Sequence, residues 1–223
     1  KQRPRAWRSV ALMLALAMTV PSTEALAKPK TRSSGSAIAA DIVVDMNSGR
    51  ILHEQASTTP RAPASLTKMM TLYVLFSYMR AGAVSPDSEL VVTPYAASQA
   101  PTKLNLKPGA TIRAADAVNA LVTLSANDAA VTIAENLAGT EQNFARVMTR
   151  KAQELGMMST LFRNASGLPN DEQVTTARDM AVLAQHLIRD FPEYYGCFQT
   201  RYFAYHGRRY RNHNRLLFGY KGT

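Results

Sequence analysis

The sequence predicts an α+β fold: an antiparallel sheet plus a helical region. Three observations carry this. Ala37 to Asp45 is apolar and β-branched, and turn residues lead it into a return strand. Thr200–Tyr205 and Arg208–Asn212 flank His206-Gly207 as a second hairpin. Between the hairpins, apolar residues recur at helical spacing in several segments, each closed by glycine or proline.

Taken in order, residues 1–27 have the layout of a secretory leader. A basic start (Lys1, Arg3, Arg5, Arg8) precedes the apolar run Val10–Met18, and Ala25-Leu26-Ala27 closes it. The run is too short to span a bilayer comfortably. The chain opens on Lys1 instead of Met, so a clipped N-terminus is expected. Residues 28–36 are a polar linker, and residues 37–223 form the remaining folded segment. Asn47-Ser48-Gly49 supplies the first turn and Arg50–Glu54 the return strand. Two prolines, Pro60 and Pro63, keep Thr58–Ala64 from running as a helix. A helix is predicted to begin close to Ser65 and to stop at Gly82. Pro86, Pro94, Pro101 and Pro108 mark a loop-rich region. Helices follow over 114–123, from about 128 to Leu137 before Gly139, and over 141–155 before Gly156. After the loop Asn164–Asn170, Thr176 and Asp179 can cap a helix over 177–189, ended by Pro192. No internal repeat is present.

Composition narrows the function classes. One cysteine, Cys197, excludes an intramolecular disulfide, and the four histidines lack metal-ligand spacing. No cofactor motif is found. The formal charge is +10, but residues 1–27 hold +3 and residues 201–223 hold +6, leaving +1 for the body. The C-terminal basic stretch reads by default as a solvated hairpin face. A surface for an anionic polymer or a carboxylate-bearing substrate is the functional alternative. A nucleic-acid binder is the weakest reading, given the leader and the nearly neutral body.

The chemistry concentrates in Ser65-Leu66-Thr67-Lys68. Residues three apart share a helix face. A serine hydroxyl needs a base to become nucleophilic, and lysine serves only if its pKa falls well below about 10.4. Leu66, Met69 and Met70 around Lys68 favour that by burial. About one Ser-x-x-Lys is expected by chance in a chain this long, so the motif alone decides little. Ser125-Ala126-Asn127, at a break between two helices, offers a hydroxyl and an amide. Ser125 could relay a proton to or from Lys68, and Asn127 could bond the lysine and a substrate amide.

Together these stretches resemble the serine D-Ala-D-Ala carboxypeptidases, the low-molecular-mass penicillin-binding proteins. The resemblance runs through Pro63–Thr71, Leu104–Gly109, Ser125–Ala130, Asn164–Pro169, Thr176–Met180 and Tyr210–Asn214, in consistent order over about 38–220. It implies a β-lactamase/transpeptidase-like fold and an exported enzyme of the periplasm or the outer face of the cytoplasmic membrane. Such an enzyme trims the terminal D-alanine from peptidoglycan stem peptides and is acylated by β-lactams. It implies Ser65 as nucleophile, Lys68 as its base, Ser125 as proton relay and Asn127 as substrate-binding group. The family's third motif, Lys-Thr-Gly, is not matched by Lys221-Gly222-Thr223, which has those residue types in another order. The expectation is that the chain is truncated before that motif and the C-terminal strands of the sheet, and that 1–223 alone is inactive. Any later domain or membrane anchor would also lie beyond it.

Rivals remain at this stage. A class A β-lactamase shares the first motif, but Ala126 stands where those enzymes carry Asp, and no deacylating glutamate element is evident. A D,D-endopeptidase has the same motifs. A penicillin-binding sensor or scaffold without turnover would not need the intact set Ser65, Lys68, Ser125 and Asn127.

Overall fold

The structure, a computed structural model, describes residues 39–220, all within the contact unit Ile38–Thr223. The expected leader (1–27), linker (28–36), first strand residues and Lys221-Gly222-Thr223 lie outside the described residues.

Strand β1 (Asp41–Val44) pairs antiparallel with β2 (Ile51–Gln55) around the turn at Asn47-Ser48-Gly49. Asp45 accepts from the Ser48 amide at 2.7 Å and the Ser48 hydroxyl at 2.6 Å, which closes the turn. Helix α1 (Thr67–Arg80) follows a 3₁₀ turn over Ala64–Leu66. It is buried nearly all round, with Met70, Leu75 and Phe76 at 1% exposure or less. Burying one such side chain stabilises by about 1.5–3 kcal/mol, so α1 is the central post of the fold. It packs on α4 (Asn127–Ala138), α5 (Glu141–Glu154) and α6 (Ala177–Asp190). At its far end, Tyr73 donates to Asp190 at 2.6 Å, and Phe76 stacks on Tyr194.

The proline-rich stretch after Gly82 is more ordered than the loop the sequence suggests. It holds β3 (Glu89–Val91), α2 (Pro94–Ser98) and β4 (Thr111–Arg113), and β4 returns to pair antiparallel with β3. Helix α3 (Ala114–Leu124) then runs to Ser125. Gly139 and Gly156 end α4 and α5 as expected. Thr176 caps α6 by accepting the Asp179 amide at 3.0 Å. Pro192 opens the short α7 (Pro192–Tyr195), because proline fits the first helical position. The last hairpin pairs β5 (Tyr202–Tyr205) with β6 (Arg208–Arg211), and a short α8 (Leu216–Gly219) follows. Among the described residues the expected antiparallel sheet is represented by three separate two-stranded ladders.

Candidate active site

Four backbone segments converge beside the first turn of α1. Ser65 lies in the 3₁₀ turn and is exposed. Lys68, three residues on, is only 4% exposed. The approach to this turn is fixed by a two-way bridge: the Arg61 amide donates to Thr175 at 2.8 Å, and the Thr175 amide donates back at 2.8 Å. The second segment is the α3–α4 junction. Ser125 caps α3 in the left-handed region (φ 59°), uncommon for a residue with a side chain. That conformation breaks the helix and lets α4 restart at Asn127.

Lys68 Nζ donates to Asn127 Oδ1 at 2.7 Å and to the Ser166 carbonyl at 2.6 Å. Asn127 is itself oriented, since its amide nitrogen donates to the Ala100 carbonyl at 2.9 Å. Burial pushes the Lys68 pKa down from 10.5 to about 8. A neutral lysine amine has two N–H bonds and one lone pair. With Asn127 and Ser166 taking both N–H bonds, the lone pair is left to accept a proton. Ser65 forms no hydrogen bond to Lys68, whose Nζ bonds go to Asn127 and Ser166; catalytic contacts of this kind often form only in the substrate complex. Ser125 Oγ is buried without a hydrogen-bond partner.

The third segment is the 100–106 stretch. Asn127 donates its backbone N–H to Thr102 at 2.7 Å. Asp128, fully buried, accepts from the Leu104 and Leu106 amides at 3.0 Å each. The 100–106 stretch and the Ser125–Asn127 turn are thus tied into one wall.

The fourth segment, Asn164–Pro169, has functional weight that the sequence reading did not assign. The Ala165 carbonyl accepts from Thr71 Oγ1 at 2.7 Å, and the Ala165 amide donates to buried Glu141 at 2.9 Å. Gly167 donates to Asn164 Oδ1 at 2.7 Å. Its φ is +82°, and a Cβ there would lie 1.8 Å from the Ala64 carbonyl oxygen. Only glycine lets this loop lie against the backbone that presents Ser65. The turn chemistry of the loop was visible; its role is played by carbonyl groups, which no residue type advertises. Among the described residues no group of three or more His, Cys, Asp or Glu side chains is placed to hold a metal ion.

The structure therefore brings Lys68 and Asn127 into direct contact and sets Ser65 one turn away at the surface. Ser125 lies two residues before Asn127, its hydroxyl without a hydrogen-bond partner. Comparison with known proteins gives this arrangement a family. The family model described as D-alanyl-D-alanine carboxypeptidase matches residues 24–222. The D-alanyl-D-alanine carboxypeptidase DacA of Escherichia coli K12 is 36% identical over 182 residues, covering 79% of this chain and 45% of that protein. The chain thus spans a little under half the length of this relative. The solved D-alanyl-D-alanine carboxypeptidase DacD from Francisella tularensis superposes with a TM-score of 0.74 at 37% identity, covering 78% of this chain and 42% of that one. Penicillin-binding protein D2 from Listeria monocytogenes, solved in a cefotaxime-bound form, gives 0.68 at 30% identity, covering 82% and 75%. The α+β fold is that of these penicillin-binding proteins, and the chain belongs to the D-alanyl-D-alanine carboxypeptidase family.

Proposed function

We propose that the protein is an exported serine carboxypeptidase acting at the outer face of the cytoplasmic membrane or in the periplasm. It removes the terminal D-alanine from peptidoglycan stem peptides and is acylated by β-lactams at the same serine. The observation that carries this reading is the buried Lys68 amine, held by Asn127 and Ser166 one helical turn from the exposed Ser65. The Listeria relative's cefotaxime-bound form supports the β-lactam part. Attachment to the membrane would use a segment outside the described residues.

In the proposed sequence, Lys68 takes the Ser65 proton as Oγ bonds to the carbonyl carbon between the two D-alanines. Backbone N–H groups, that of Ser65 among them, hold the oxyanion; one such donor is worth about 10²–10³ in rate. The C–N bond breaks as the leaving amine receives a proton relayed from Lys68 through Ser125. Asn127 bonds the substrate amide. Water then attacks the ester, and its proton returns along the same groups, regenerating Ser65 and releasing the shortened peptide.

The test is D-alanine release by the intact gene product from a peptide ending in D-Ala-D-Ala, followed against pH. The base must be unprotonated, so kcat/KM should rise about tenfold per pH unit below a midpoint near 8 and level off above it. A rate that falls on raising pH from 6 to 8, or no release at all, would refute the assignment. The folded state should also gain from the same titration. Charged Lys68 is penalised by burial below pH 8, and that penalty fades between pH 8 and 10.5.

A further inference from the structure

The two acceptors of Lys68 belong to two different walls of the site. Asn127 Oδ1 stands at the α3–α4 junction, and the Ser166 carbonyl stands on the Asn164–Pro169 loop. Each acceptor is held from further out. Asn127 Nδ2 donates to the Ala100 carbonyl at 2.9 Å, and Gln99, the residue before Ala100, donates from Nε2 to the Tyr95 carbonyl at 3.0 Å. On the other side, the amide of Ala165, the residue before Ser166, donates to Glu141 Oε1 at 2.9 Å. One bond joins the two sides: the Tyr95 hydroxyl donates to Glu141 Oε2 at 2.7 Å. That bond closes a ring of contacts that starts and ends at Lys68 and runs through both walls.

Glu141 is well placed to hold the ring shut. It is only 4% exposed, and it opens α5, where the helix N-terminus favours a carboxylate. Among the described residues no lysine, arginine or histidine pairs with it. A buried carboxylate without a cation adds little to stability. What it supplies is two fixed acceptor positions, one for a backbone amide and one for a phenol. The bond to Glu141, with burial, pushes the Tyr95 phenol up to about 12, so it remains a donor at neutral pH.

We propose that Glu141 and Tyr95 are positioning residues for the acylation step: their bond clasps the two walls together and sets the spacing of the two oxygens that aim the Lys68 amine. Neither residue touches the reacting atoms. The inference rests on the carboxypeptidase reading, in which Ser65 is acylated with Lys68 as its base. The test is stopped-flow acylation of the intact gene product by saturating penicillin, with the acylated fraction measured on the same samples. Tyr95→Phe removes one hydroxyl from a side chain that is 46% exposed, and the acylation rate constant should fall about tenfold. Glu141→Ala also frees the Ala165 amide and should cost about 100-fold. Glu141→Gln keeps an oxygen for Ala165 and offers an N–H to the Tyr95 oxygen, so it should acylate at close to the wild-type rate. Tyr95→Phe/Glu141→Ala should be no slower than Glu141→Ala alone, because the clasp opens only once. In every variant the whole population should be acylated, at the slower rate. A merely structural role gives the reverse, a reduced fraction acylated at the wild-type rate, and that result would overturn the proposal. So would a wild-type rate in Tyr95→Phe, additive losses in the double variant, or a Glu141→Gln as slow as Glu141→Ala. Tyr95→Phe and Glu141→Gln decide the matter by themselves if Glu141→Ala does not fold. Each of these failures leaves the carboxypeptidase reading standing, whereas a wild type that penicillin does not acylate would sink both.

Discussion

Gly167→Ala should reduce acylation by a β-lactam about 100-fold or more while Ser65 and Lys68 remain chemically intact. The new Cβ would sit 1.8 Å from the Ala64 carbonyl oxygen and 2.4 Å from its carbon, with φ fixed at +82°. Both obstacles are backbone, so no side-chain rotation relieves them. The Ala64 carbonyl accepts the Thr67 amide, so pushing it away opens the turn that presents Ser65. Pushing the loop away instead withdraws the Ser166 carbonyl from Lys68. Misplacing a reacting group by about 1 Å costs on the order of 10² in rate. Gly156→Ala is the matched control: its φ is +86°, but nothing lies within 4 Å of the added carbon. It should cost only the left-handed strain, about 1–2 kcal/mol of stability, and leave acylation unchanged. Stopped-flow acylation and thermal midpoints of both variants check this. Normal acylation by Gly167→Ala would remove the loop from the account.

The second large effect is at Lys68. Lys68→Met keeps the length of the side chain and removes the proposed base, so acylation should fall by about 10²–10⁴. Stability should move little. The variant relieves a buried charge, which burial disfavours below pH 8, but leaves Asn127 Oδ1 and the Ser166 carbonyl without their donor. The unpaired acceptors cost about 1–3 kcal/mol each, and the two effects oppose. Lys68→Arg should be equally inactive, because a guanidinium does not give up its proton near neutral pH. An unfolded Lys68→Met would mark the lysine as a structural strut. A folded variant that acylates normally would remove it from catalysis.

Much of this was readable from residue types, and the failures have a common cause. Gly82, Gly139, Gly156 and the Thr176 cap placed helix ends because each acts on its own neighbours. The hairpin turns at Asn47-Ser48-Gly49 and His206-Gly207 are local in the same way. Ser65 with Lys68, and Ser125 with Asn127, carry side chains whose chemistry names itself. The β3–β4 ladder escaped because its three-residue strands are 20 residues apart and hidden among prolines. Their pairing is a tertiary event. The Ser166 carbonyl escaped because any residue has one. The left-handed Ser125 also escaped, because glycine or asparagine is the usual marker of that conformation. Side-chain identity thus named the candidate groups, and long-range backbone packing decided how they are held.

The Ser65 hydroxyl is proposed as the atom that opens the substrate carbonyl, and every other role depends on it. The most direct measurement is to trap the intact gene product with penicillin, digest it and locate the adduct by mass spectrometry. A single penicilloyl group on the peptide containing Ser65, absent from folded Ser65→Ala, is the expected result. An adduct on another residue, or one that persists in Ser65→Ala, would contradict it.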